Sequence, residues 1–201
     1  MSDLLQRDRL VFRQATKLIE LNIDFAILDE EGNEVGRIRQ EGQSQLKKLA
    51  RLVSSLDQFM THTLAVYDRT GAKVLEMTRP RKVFKSTVLV RDGAGAEVGR
   101  IVQENVIGKI HFALQDASGS GIGAIRAENW RAWNFSLQDA SGAEVGRITK
   151  TWEGLARTLF TTADHYVLEV SPGVTGPLRQ LMLASAAGVD LALKQDARGL
   201  G

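Results

Sequence analysis

One short pattern recurs five times and restricts what this chain can fold into more than any other feature: apolar, any, apolar, any, Asp, two residues, Gly. It runs through Phe25, Ile27, Asp29 and Gly32; Leu64, Val66, Asp68 and Gly71; Val88, Val90, Asp92 and Gly95; Phe112, Leu114, Asp116 and Gly119; and Phe135, Leu137, Asp139 and Gly142. Alternating apolar residues put one face of a strand into a core, and Asp-x-x-Gly then reverses the chain, so each copy predicts a β-hairpin. Asp suits the first position of a type I turn because its carboxylate accepts nearby amide hydrogens, and Gly supplies the left-handed residue that closes the loop. Their identical place in every copy assigns the five aspartates to turn formation rather than to a metal or acid–base set. In four copies a second glycine follows four residues after the first (Gly36, Gly99, Gly123, Gly146), with Ile38, Ile101, Ile125 and Ile148 two residues beyond. A glycine there marks a strand bulge or a close backbone approach. Five hairpins make a meander whose edges would be exposed unless the sheet closes or is covered.

Two helical segments interrupt this pattern. Between Gln43 and Met60, Leu46, Leu49, Leu52, Val53, Leu56 and Phe59 form one apolar stripe with Lys47, Lys48 and Arg51 largely off it, which predicts a surface helix plugging a barrel end. After Gly176-Pro177 a second segment, about 178–194, is apolar nearly all round, and such a helix must be buried on most sides. A closed sheet wrapped about a C-terminal helix satisfies both the meander and this helix.

The 201 residues suit one domain. With 26 Lys and Arg against 24 Asp and Glu the charge is nearly balanced, and nothing in it calls for nucleic acid. Cysteine is absent, which excludes disulfides, thiolate nucleophiles, cysteine zinc sites and palmitoylation, and fits a reducing, cytoplasmic setting. Charged residues from Asp3 to Arg13 interrupt the N-terminus, so no secretory leader is expected. Arg179 and Asp190 bracket an apolar stretch too short for a membrane span, which takes about 20 residues.

The run Gly146-Arg147-Ile148-Thr149-Lys150-Thr151-Trp152-Glu153-Gly154, followed by Phe160-Thr161-Thr162-Ala163-Asp164-His165-Tyr166, resembles the signature of the phospholipid scramblase family. Leu10-Val11-Phe12-Arg13-Gln14, the Arg79-Pro80 pair and the C-terminal helix carrying Asp190 extend the likeness over roughly Leu10 to Lys194. The segment 163–170 is also similar to the LURP-one-related proteins of the tubby-like superfamily. The resemblance implies a mainly β fold, a closed antiparallel tubby-like barrel of about twelve strands around a central hydrophobic helix. It places that domain at 10–194, between an N-terminal tail at 1–9 and a C-terminal tail at 195–201. It also implies phospholipid binding or calcium-dependent scrambling, a lipid translocation rather than a chemical reaction, by a protein peripheral to the inner face of the plasma membrane. The acidic stretch implicated in calcium binding is reduced here to Asp164 and Glu169, with Thr162 and His165 where the family has Asp and Asn. Calcium wants about six to eight oxygen ligands, so no metal site is expected from these residues and Asp164 is a remnant.

The sharpest surface candidate is Arg79-Pro80-Arg81-Lys82-Val83-Phe84-Lys85, four cations in seven residues, suited to an anionic lipid headgroup; Lys47, Lys48 and Arg51 extend it if the first helix lies alongside. The bland counterpart is a solvated connection between hairpins. His62, His111 and His165 show no metal-ligand spacing, the Gly119–Gly123 run follows the hairpin pattern instead of leading into a helix, and Trp130, Trp133 and Trp152 are expected to pack in the core. No nucleophile, base and orienting group assemble, so an enzyme active site is not expected. The alternative to lipid binding is a soluble protein-interaction or stress-response module that never touches lipid.

Overall fold

The computed structural model describes residues 2–14, 24–41, 62–80, 87–105, 111–128, 134–149 and 165–196, with backbone alone at 14, 24, 62, 165 and 189–196. The helix expected between Gln43 and Met60 and the three tryptophans lie outside these residues.

Twelve strands follow in chain order: β1 (Arg9–Gln14), β2 (Asp24–Leu28), β3 (Glu34–Glu41), β4 (His62–Asp68), β5 (Lys73–Arg79), β6 (Thr87–Asp92), β7 (Glu97–Gln103), β8 (His111–Asp116), β9 (Gly121–Ala127), β10 (Phe135–Asp139), β11 (Glu144–Thr149) and β12 (His165–Val170). Each pairs antiparallel with its sequence neighbours, and β1 pairs with β12 from Arg9↔Glu169 to Arg13↔His165, closing the sheet into a barrel. Closure is the solution the meander demanded, since it leaves no unpaired strand edge.

The five repeats form the five tight hairpins β2–β3, β4–β5, β6–β7, β8–β9 and β10–β11. In each, the aspartate Oδ1 accepts two backbone amides, two and four residues on, at 2.8–3.1 Å. The turn glycine adopts φ between 83° and 88°, a region that side chains other than glycine's make costly. The register slips at the same point of every hairpin. Ile27 faces Gly36 while Leu28 faces Glu34, which leaves Val35 as the extra residue; Val74, Val98, Ile122 and Val145 take that place in the other four. These bulges bend the strands and turn one more apolar side chain onto the core.

The interior is filled by one helix, α1 (Gly176–Asp196), two residues longer at each end than the sequence reading. Leu181 to Ala187 are all buried and share a single core cluster with Phe12, Ile27, Ile38, Leu75, Leu114, Ile125, Leu137, Ile148 and Leu168 from the strands. Leu and Ile side chains so enclosed contribute about 1.5–3 kcal/mol each. The second glycines admit this helix. A Cβ at Gly146 would lie 2.5 Å from the Glu169 carbonyl oxygen and strike Met182, and one at Gly123 would lie 2.9 Å from Leu178 Cδ1.

Residues 1–9, read from sequence as a tail, differ from that expectation. Asp3–Gln6 form a 3-10 turn whose Leu4 and Leu5 are buried in the core at the turn end of the barrel. The buried Arg179 ties this segment to the start of α1, donating to Val174 O at 3.1 Å, Arg7 O at 2.6 Å and Asp8 Oδ1 at 3.0 Å. A desolvated guanidinium with three acceptors is satisfied where it sits.

The turn carboxylates are held below their ordinary values. The Thr70, Ser118 and Ser141 hydroxyls, followed by backbone amides, do this at Asp68, Asp116 and Asp139. At Asp29 burial pushes the carboxyl up, but Asn33, Arg7 and the Glu31 amide outweigh it. A group whose folded pKa is depressed contributes stability that is present above its unfolded value and is lost as pH falls through the folded one. Stability is therefore expected to be level above about pH 5 and to fall below about pH 4, with a shallower acid slope for Asp139→Asn; denaturant midpoints against pH measure it. The glycine account predicts that Gly146→Ala costs about 1–3 kcal/mol. Gly121→Ala, whose Cβ meets nothing within 4 Å, should stay within about 0.5 kcal/mol. Equal costs in chemical unfolding would contradict it.

Candidate functional site

The up-and-down topology gives the barrel two unlike ends. All five tight turns lie at one, the turn end, which Leu4, Leu5 and the start of α1 also occupy. The six remaining strand connections, 15–23, 42–61, 80–86, 104–110, 128–134 and 150–164, join strands at the other, the connection end.

Charge is divided between these ends. The six connections hold eleven Lys and Arg against six Asp and Glu, a net of +5. The five Asp-x-x-Gly-x turns hold one Arg against seven Asp and Glu, a net of −6. A formal net charge of +2 for the whole chain conceals this separation. Strands of this length set the ends about 20 Å apart, beyond the Debye length of about 8 Å at physiological salt, so each end presents its own potential.

The barrel wall, by contrast, neutralises itself. A Glu-Val-Gly-Arg string recurs at 34–37, 97–100 and 144–147, and in each the Glu and the Arg pair across the bulge: Arg37 with Glu34, Arg100 with Glu97 at 3.0 Å, and Arg147 with Glu144 at 2.8 Å. Arg147 also reaches Glu128 at 2.6 Å, and Arg9 reaches Glu169 at 2.8 Å. On β3–β5, Lys73 donates to Glu41 at 2.8 Å and to Glu76 at 3.0 Å, while the Tyr67 hydroxyl donates to Glu41. This group roofs Ala65, which is fully buried although it points outward. Glu41 and Glu76 hold the Lys73 ammonium above its usual range, and Glu41 raises the Tyr67 phenol. Such pairs are worth little individually, but they leave the unbalanced charge to the two ends.

The residues singled out from sequence fall as follows. Arg79 is the last residue of β5, in register with His62 of β4, on the same strand face as Leu75 and Met77 and only 8% exposed. Its guanidinium belongs to the barrel interior at the connection end, where the sequence reading had it on an open surface. Alternation with Leu75 and Met77 was the signal for this, and the string of cations after Pro80 obscured it. Arg81, Lys82, Lys85, Lys47, Lys48, Arg51 and Asp164 lie outside the described residues. Topology nevertheless fixes where their segments attach: 42–61 joins β3 to β4 and 80–86 joins β5 to β6, so both depart from four consecutive strands at the connection end. Glu169 stands on the outer wall, engaged by Arg9. His62, His111 and His165 each open a strand at this same end. The paired Glu-Val-Gly-Arg strings and the Tyr67–Glu41–Lys73–Glu76 group escaped the sequence reading; the triple repetition of the first was its available signal.

Among the described residues, no helix is long and apolar enough to cross a membrane, and no three His, Asp or Glu gather as a possible metal site. No match to the chain is found among curated proteins or among solved structures. A family model does match: the one described as Scramblase covers residues 1–193, nearly the whole barrel and its helix, and the chain belongs to the scramblase family.

Proposed function

We propose that this scramblase-family protein binds anionic phospholipid by docking the connection end of its barrel on the membrane surface. The observation that carries this reading is the separation of +5 at that end from −6 at the turn end. A cation near an anionic bilayer is worth about 1 kcal/mol, so an excess of this size favours one orientation strongly. Arg81, Lys82 and Lys85, together with Lys47, Lys48 and Arg51, are the proposed headgroup contacts, entering from neighbouring strands. Arg79 acts from behind them within the barrel.

Peripheral docking also fits the wall. Strands of five to eight residues fall short of the roughly 9–11 residues that cross a bilayer as a barrel. The outward face carries Arg13, Arg37, Arg39, Arg100, Arg126 and Arg147 where a spanning barrel has an apolar band. With the lumen occupied by α1, lipid transfer between leaflets would have to run past the barrel or require the helix to leave.

Vesicle co-sedimentation tests the reading. The full chain is expected to bind phosphatidylcholine vesicles containing phosphatidylserine, to ignore phosphatidylcholine alone, and to release in high salt. Replacing Arg81, Lys82 and Lys85 together by Gln should weaken binding roughly hundredfold, at about 1 kcal/mol per charge. Equal retention on neutral and anionic vesicles would overturn the reading in favour of a soluble interaction module.

A further inference from the structure

The chain has three histidines, and the fold places all of them alike. His62, His111 and His165 are the first residues of β4, β8 and β12, so each stands at the connection end. Each is in direct register with an arginine on the adjoining strand: His62 with Arg79 of β5, His111 with Arg126 of β9, and His165 with Arg13 of β1. None stands at the turn end.

We propose that these three histidines make docking on anionic membranes proton-dependent, with acidification tightening it. The inference rests on the docking reading above and names how that surface is regulated. Histidine is the side chain that gains charge between about pH 8 and pH 5, so acidification adds as many as three charges to the end that already carries the cationic excess. Imidazolium and arginine facing each other across a ladder repel, and an anionic surface laid over both relieves the repulsion. Proton uptake and docking are therefore linked, each favouring the other.

The other groups around each histidine leave this sign intact. His111 has Arg126 on the β9 side; on the β7 side are Glu104, whose amide donates to the His111 carbonyl, and Asn105, whose Oδ1 accepts the His111 amide. His62 has Arg79 on β5 and, on β3, Glu41, which pairs with the neighbouring Thr63. His165 has Arg13 on β1, while the last residue of β11, Thr149, faces Val167. Glu41 is held in its ionised form by Lys73 and Tyr67. The turn end stays negative over the same range, because the carboxyls of Asp29, Asp68, Asp116 and Asp139 sit below their ordinary values. The charge that changes is thus confined to one end.

The test titrates the full chain with phosphatidylcholine–phosphatidylserine vesicles at about pH 7.5 and about pH 5.5, where affinity should rise about tenfold to a hundredfold on acidification. His62→Gln, His111→Gln and His165→Gln in one chain should abolish the rise, with His111→Gln alone removing a part. Melting curves establish that the variants are folded. Calorimetry of the unaltered protein in two buffers of different ionisation enthalpy, independent of any variant, should show net proton uptake on binding at about pH 6.5. Binding of equal strength at both pH values, no proton uptake, or a rise retained by the triple variant overturns the proton dependence and leaves the docking reading standing. Absence of binding to these vesicles at either pH overturns both.

Discussion

A closed barrel of twelve strands encloses a lumen, and an empty apolar lumen is not a stable object. The packing of α1 against the inner face of the sheet is the interaction on which the remaining features depend. It requires inward residues large enough to meet the helix from the strands, and it requires glycine where strand and helix come too close for a Cβ, as at Gly146 against Met182. It also requires curvature, which the five identical bulges supply while adding Val35, Val74, Val98, Ile122 and Val145 to the contact. The Arg179 clasp and the Leu4–Leu5 turn then seal the end through which the helix enters.

A filled barrel of this kind offers its ends for function rather than its interior. The wall is occupied by short-range ion pairs generated by the same repeat that builds the hairpins, Glu on one side of the bulge and Arg on the other. Charge that the wall does not cancel collects at the ends because the two kinds of strand connection differ. Tight turns need Asp for its amide contacts and so become negative, whereas the longer connections are free of that requirement and carry the lysines and arginines. An electrostatic axis along the barrel is thus partly a by-product of turn chemistry, and its positive pole is where the chain has room for side chains that contact a partner.

Much of this was legible beforehand, and the divisions are physical. Asp-x-x-Gly at constant spacing encodes a local structure closed by bonds within five residues, so all five hairpins could be read directly. The run from Leu181 to Ala187 could be read as buried because no polar face was left. Closure of β1 on β12 was not readable from the repeat, since neither strand belongs to it and their pairing spans the length of the chain. Leu4 and Leu5, set among Asp3, Arg7 and Asp8, gave no periodic signal, and their burial depends on a cavity made by distant strands. Of the candidate site, the concentration of cations after Pro80 was visible, but the inward turn of Arg79, the segregation of charge between ends and the His–Arg registers emerge only once strand directions are known.

The central claim is that the connection end faces the membrane, and the absence of native cysteine makes it directly measurable. Single fluorophores placed through Glu104→Cys at the connection end and Ala140→Cys at a hairpin tip, both exposed positions, can be read on anionic vesicles containing headgroup-quencher lipid. The account predicts strong quenching at position 104 and little at 140, with the difference abolished in high salt. Equal quenching at both, or stronger quenching at 140, would contradict it.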